Sequence, residues 1–192
     1  MKVVLMGEQW KELQQKIVNL QGDVGKFQVE FLDRNSFNDF VENRWSSELQ
    51  NFPEFCITGY ISETIREKLQ YLRNWNATVR LIYQEIPSNP SKRDRKNLEV
   101  LKKLVETGII IKFNHRTHTR MLIAYNPKAQ FSGLVIIGSF DFNHECIGKE
   151  RYDSGIKTRH PDLVKSAIEL FEQIWDEPES IPFEDYIEKR MK

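Results

Sequence analysis

The chain has 192 residues, 40% of them hydrophobic and 29% charged, enough apolar material for one sizeable core, which excludes a disordered chain or a disulfide-stapled mini-protein. Its 28 basic and 28 acidic side chains cancel, which argues against coating nucleic acid through bulk charge but leaves room for a local basic face. No apolar run approaches the roughly 20 residues that span a bilayer, and Glu8 follows the start too closely for a secretory signal, so a cytoplasmic protein with no membrane partner is expected.

Taken in chain order, Trp10, Leu13, Ile17 and Leu20 have helical spacing, and Gln21 to Gly25 break the pattern. Phe27, Val29 and Phe31 alternate with polar neighbours as in a half-buried strand. Asn35 or Ser36 then caps a helix running to Gln50, with Phe37, Phe40, Val41 and Trp45 inward. Phe55 to Ile61 is a strand-length apolar run, followed by a helix capped by Ser62 that reaches Trp75. Ala77 to Tyr83 is the next strand. A helix capped by Ser91 then carries Leu98, Leu101, Leu104 and Val105 on one stripe and stops at Gly108, and Ile109 to Phe113 is a strand again.

After Phe113 the rhythm changes. Met121 to Ala124 and Gly133 to Gly138, separated by a turn-like stretch, read as two adjacent strands and are expected at the centre of the sheet. A polar loop, Asp141 to Arg151, precedes a short strand at Tyr152 to Lys157, and Pro161 opens a helix through Trp175. The pattern predicts an α/β fold: a mixed, largely parallel sheet between helices. Residues 1–175 form one domain, with 1–26 an extension packed on it, and 176–192 form an acidic, docked tail. No internal repeat is present, so any site occurs once per chain.

The cysteines lie in unlike settings, Cys56 in an apolar run and Cys146 in a polar loop, so no disulfide framework is expected. Basic residues are dense across the middle third, at Lys92, Arg93, Arg95, Lys96, Lys102, Lys103, Lys112, Arg116 and Arg120. They suit either a solvated helix face balanced by Asp94 and Glu99 or a track for a phosphate backbone.

The stretch NHRTHTRMLIAY, followed by GLVIIGSFDFNHECIGKERYDSGIK, carries the chemistry. At the start of a strand, His118 and Arg120 project to one face because side chains alternate with a period of two. On the neighbouring strand Gly138 lets a ligand approach the backbone, and the Ser139 hydroxyl can donate to an oxyanion. That set suits a phosphate. A zinc site at His115, His118, His144, Glu145 and Cys146 is the rival, but a spacing of three in extended chain sets His115 and His118 on opposite faces. No metal or other cofactor is expected.

These residues resemble the signature of the phospholipase D-like superfamily, His-x-Lys-x4-Asp followed by Gly-Ser-x-Asn and a later acidic residue. The order of elements from about residue 30 to residue 175 is similar as well. The resemblance puts His118 on the motif histidine, Gly138 and Ser139 on the Gly-Ser pair and Asp153 on the later acidic position; Arg116 is a further candidate for phosphate binding. Arg120 stands where the family has lysine, Tyr125 where it has aspartate, and Asp141 where it has asparagine. Arginine keeps the charge and binds phosphate bidentately, whereas Asp141 would repel a phosphodiester unless neutralised. With one motif per chain, the resemblance implies a homodimer in which His118 of both copies shares one site, a phosphohistidine intermediate and no metal. Nucleic acid is the expected substrate; a module that binds without cleaving is the alternative.

Overall fold

The computed structural model describes residues 29–61, 63–87, 89–129, 132–139 and 153–191. The expected first helix, the cap at Ser62, the loop holding Asp141, His144 and Cys146, and Tyr152 lie outside these residues. Eight strands form one sheet: β1 (Val29–Asp33), β2 (Glu54–Thr58), β3 (Thr78–Gln84), β4 (Ile110–Asn114), β5 (Arg120–Tyr125), β6 (Gly133–Gly138), β7 (Ser154–Thr158) and β8 (Ile181–Pro182). Their order is β1-β7-β6-β5-β2-β3-β4-β8, which makes β5 and its neighbours the interior strands, as expected.

The α/β class and the mixed sheet agree with the sequence reading, with one correction. Parallel pairing is confined to β2-β3-β4, and every other pairing among the described residues is antiparallel. The apolar continuity that suggested a parallel sheet has a simpler cause: β5 and β6 are buried on both faces by helices, whichever way they run.

One face is covered by α1 (Arg34–Asp39), a π-helical turn (Phe40–Arg44), α2 (Trp45–Leu49), α3 (Glu63–Asn74) and α4 (Lys92–Glu106). The cap of the first of these is Asp33, not Asn35 or Ser36. Its carboxylate accepts the Ser36 N–H at 2.8 Å while the Ser36 hydroxyl accepts the Asp33 N–H at 2.9 Å, a reciprocal capping box. The widened turn keeps Phe37, Phe40, Val41, Trp45 and Leu49 all buried. Ser91 and Asp94 form a second capping box that starts α4, and Gly108, at φ +84°, takes the left-handed conformation that ends it.

The opposite face is covered by α5 (Pro161–Asp176), whose Val164, Ala167 and Phe171 pack on Cys56, Ile82, Met121, Ile123 and Val135. Across this layer the Arg80 guanidinium takes both oxygens of Glu172, at 2.6 and 2.8 Å, lies over the Phe171 and Trp175 rings, and donates to Tyr125 Oη at 3.3 Å. The segment expected as a docked tail adds β8 beside β4 and α6 (Phe183–Met191), whose Tyr186 stacks on Phe113 with ring centroids 3.9 Å apart.

β1 corrects a second expectation. Phe31 is 65% exposed, and Leu32 points into the core instead. The polar alternation was inward because Glu30 belongs to an ion cluster: Arg44 donates to Glu30 at 2.9 Å, and Lys157, only 8% exposed, lies 2.7 Å from both Glu30 and Glu48. This ties the β1-β7 edge to the π-helical turn and α2.

The hydrogen bond from Arg44, aided by Lys157, holds the Glu30 carboxyl below its ordinary value of 4.5. A depressed carboxyl stabilises the fold fully above the ordinary value and loses that contribution as pH falls through the folded-state value. The thermal midpoint is therefore expected to fall between about pH 5 and pH 3, with a shallower fall in Glu30→Gln; equal slopes would remove Glu30 from the acid response. Burial pushes the Cys56 thiol up to about 12. In a Cys146→Ser background, Cys56 is expected to resist a thiol reagent at about pH 8.5 until the protein is unfolded.

Candidate functional site

The end of the sheet at which β2, β3 and β4 finish is also where β5 and β7 begin and β6 ends. Ends of parallel strands, where loops diverge, are where α/β sheets bind ligands. Arg120 opens β5 and pairs with Gly138 of β6, which pairs with Gly155 of β7. Directly paired residues present their side chains on the same face. Two glycines beside Arg120 therefore place no side chains along its flank, and this bare strip of backbone, the trough, lies on the face that carries α1 to α4.

Arg120 is held at both ends of its guanidinium. Nη1 donates to the His118 carbonyl at 3.0 Å, and the group lies 5.0 Å from the centroid of the Tyr60 ring. Tyr60 is fixed in turn by its hydroxyl, which donates to Gln84 at 2.8 Å, and by an edge-on contact with Tyr83. It follows Gly59, whose φ of +131° lets the chain turn off β2. Thr58 donates to the Thr119 carbonyl at 2.8 Å and so anchors the loop that carries His118.

His118 itself is exposed and precedes β5, which starts at Arg120. The strand alternation invoked for the pair thus applies to Arg120 alone; His118 is positioned by backbone contacts of its loop. On the far side of the trough, Ser139 N–H donates to the Ser154 carbonyl at 3.0 Å. The Ser139 hydroxyl accepts the Ser154 N–H at 3.1 Å and donates to Asp153 Oδ1 at 3.0 Å. Asp153 Oδ2 takes a bond from Arg34 Nη2 at 3.1 Å, with both side chains under one-fifth exposed.

The structure thus brings His118, Arg120, Gly138, Ser139 and Asp153 to one sheet end and adds Arg34 and Tyr60, which the sequence reading did not select. Tyr60 had a usable signal, its place just after a strand and a glycine at the ligand-binding end. Arg34 had none, since its partner lies 119 residues away. Arg116 does not join the site: it lies 3.3 Å from Glu179 of the C-terminal segment. Lys112 is likewise engaged elsewhere, over Trp175 and bonded to its carbonyl at 2.7 Å.

Tyr125 ends β5, five residues from Arg120 or about 17 Å along the strand, and bonds to Arg80. The departure from the motif at this position sits away from the trough. Burial raises the Tyr125 phenol to about 12, so it stays neutral beside the Arg80–Glu172 pair. Asp141 lies outside the described residues. The basic residues at the start of α4, Lys92, Arg93, Arg95 and Lys96, are exposed. Because α4 follows β3, that start is at the same end of the sheet as the trough.

No sequence relative is found among curated proteins. Among solved structures, the fold is similar to Nuc, a phospholipase D family member from Salmonella typhimurium, with a TM-score of 0.61 and 14% identity over 82% of this chain and 97% of that one. NucT from Helicobacter pylori gives 0.62 and 14% over 82% and 100%. TrmBL2, an archaeal chromatin protein described with a novel mode of DNA binding, gives 0.54 and 13% over 94% and 65%. Residues 53–175 match the family model described as cardiolipin synthase, PLD-like domain. This match takes in β2 through α5 and with them the trough, so the chain belongs to the phospholipase D-like family.

Proposed function

We propose that the chain is a phosphodiesterase that cleaves nucleic-acid strands without a metal, in a site shared by two copies of the chain. The observation that carries this reading is the trough itself: Arg120 braced on Tyr60, two glycines on its flank, the Ser139–Asp153 pair across it and His118 at its mouth. A planar guanidinium beside bare backbone suits a tetrahedral anion. The exposed basic start of α4 extends the positive surface and favours a polyanion over a small ester. No helix among the described residues is long and apolar enough to cross a membrane.

The chemistry follows from the count of histidines. His118 Nε2 attacks phosphorus, the P–O bond to the leaving strand breaks, and that oxygen takes a proton from the imidazolium of a second His118. The second imidazole, now neutral, then takes a proton from water, whose oxygen displaces His118 from phosphorus. One imidazole cannot act as nucleophile and as acid in the same step, so a two-fold dimer supplies the other. Arg120 holds the non-bridging oxygens as charge builds on them.

His118→Ala is expected to abolish cleavage measured in the presence of chelator while leaving oligonucleotide binding largely intact. Asp141→Asn should raise activity by returning the uncharged residue type that the resembled family has at that position of the motif. Wild type and Asp141→Asn that are equally inert yet both bind would decide for a binding module, and cleavage lost in chelator but restored by zinc would move the chemistry to a metal. Sedimentation should give a dimer; a monomer at high concentration would remove the shared site. Binding should weaken steeply with salt.

The Tyr60 platform has its own test. A cation–π contact of about 0.5–1 kcal/mol means that Tyr60→Leu should weaken oligonucleotide binding roughly two- to fivefold. Tyr60→Phe, which keeps the ring, should not. Equal losses in both would place the effect in the Gln84 bond instead.

A further inference from the structure

We propose that Arg34, which lies in neither basic stretch of the sequence, is the counter-cation that lets the Asp153–Ser139 corner accept a phosphate. The proposal rests on the phosphodiester reading above and deepens it with a positioning residue. Asp153 holds the Ser139 hydroxyl on the side of the trough opposite Arg120. An uncompensated carboxylate there would oppose a phosphodiester bound to Arg120, because like charges at such range repel strongly where water is partly excluded. Arg34 meets the carboxylate on its other oxygen, Nη2 to Oδ2 at 3.1 Å, with the side chains 18% and 19% exposed.

Its place is set by the fold on both sides. Arg34 is the first residue of α1, immediately after Asp33, whose capping box with Ser36 locks the turn from strand to helix. Asp33 pairs with Ser154, the neighbour of Asp153, across β1 and β7. The guanidinium is therefore delivered to Asp153 by backbone register, and one charge cancels the other while Ser139 keeps its geometry. In this arrangement Arg34 acts through Asp153 and does not hold the phosphate.

The test is a double-mutant cycle on the full chain, read as the affinity for a short single-stranded oligonucleotide at fixed low salt, with thermal midpoints measured alongside. Arg34→Gln is expected to weaken binding about tenfold, and Arg34→Lys, which keeps the charge, by no more than about threefold. In an Asp153→Asn background, Arg34→Gln should change affinity by less than about twofold, since no carboxylate remains to neutralise. A loss that persists in that background would make Arg34 a direct phosphate contact and overturn the proposal. So would wild-type binding that Arg34→Gln leaves unchanged.

If Arg34→Gln alone does not fold, the comparison of Asp153→Asn with Arg34→Gln/Asp153→Asn decides: the two should bind within about twofold of each other, and a further loss on removing Arg34 would overturn the proposal. A wild type with no measurable affinity would sink the phosphodiester reading as well, which separates that failure from failure of the Arg34 role alone.

Discussion

The site depends on one constraint, the pairing of β5 on both of its edges. β5 is hydrogen-bonded antiparallel to β2 along one side and to β6 along the other, residue for residue. That double ladder leaves no freedom in which residues face which layer, because a slip of one would turn Met121 and Ile123 towards α1 to α4 and Arg120 towards α5. It also decides that the chain entering β5 arrives where β6 leaves. His118, Arg120 and Ser139 meet for that reason, although 18 residues separate Arg120 from Gly138.

Around this frame, charge is handled in closed groups. Glu30, Glu48, Arg44 and Lys157 neutralise one another between β1, β7 and the first helices. Arg80 and Glu172 do the same beneath α5. Partly buried ions are tolerated only when paired, since removal from water costs several kcal/mol per ion. Arg120 has an aromatic face and a backbone carbonyl among its contacts.

Much of the fold was legible in the sequence because its signals are local. The Ser91 cap, Gly108 at a helix end and Pro161 at a helix start each act within one turn, and the structure uses all three. Parallel and antiparallel pairing could not be told apart, because a strand buried on both faces has the same composition in either case. The inward face of β1 was misread for a related reason: Glu30 looked like a solvent-facing residue until Arg44 and Lys157 were beside it. In the trough, Arg120, Gly138 and Ser139 stood out by residue type and spacing. Arg34 did not, since its role comes from a partner that only the sheet order brings near, and Tyr60 was marked only by its place after a strand and a glycine.

Two of the three departures from the family motif fall on β5, one at each end. At the far end, Tyr125 is accommodated by Arg80, Glu172 and the aromatic rings of α5, an apolar and ion-paired setting that gives a phenol a donor without asking it to ionise. At the near end, arginine in place of lysine is matched by Tyr60. A planar guanidinium spreads its charge over a ring face and still presents N–H groups at its edge, whereas an ammonium on a flexible stem gains less from such a platform. Each of these two residues thus has a neighbour suited to it.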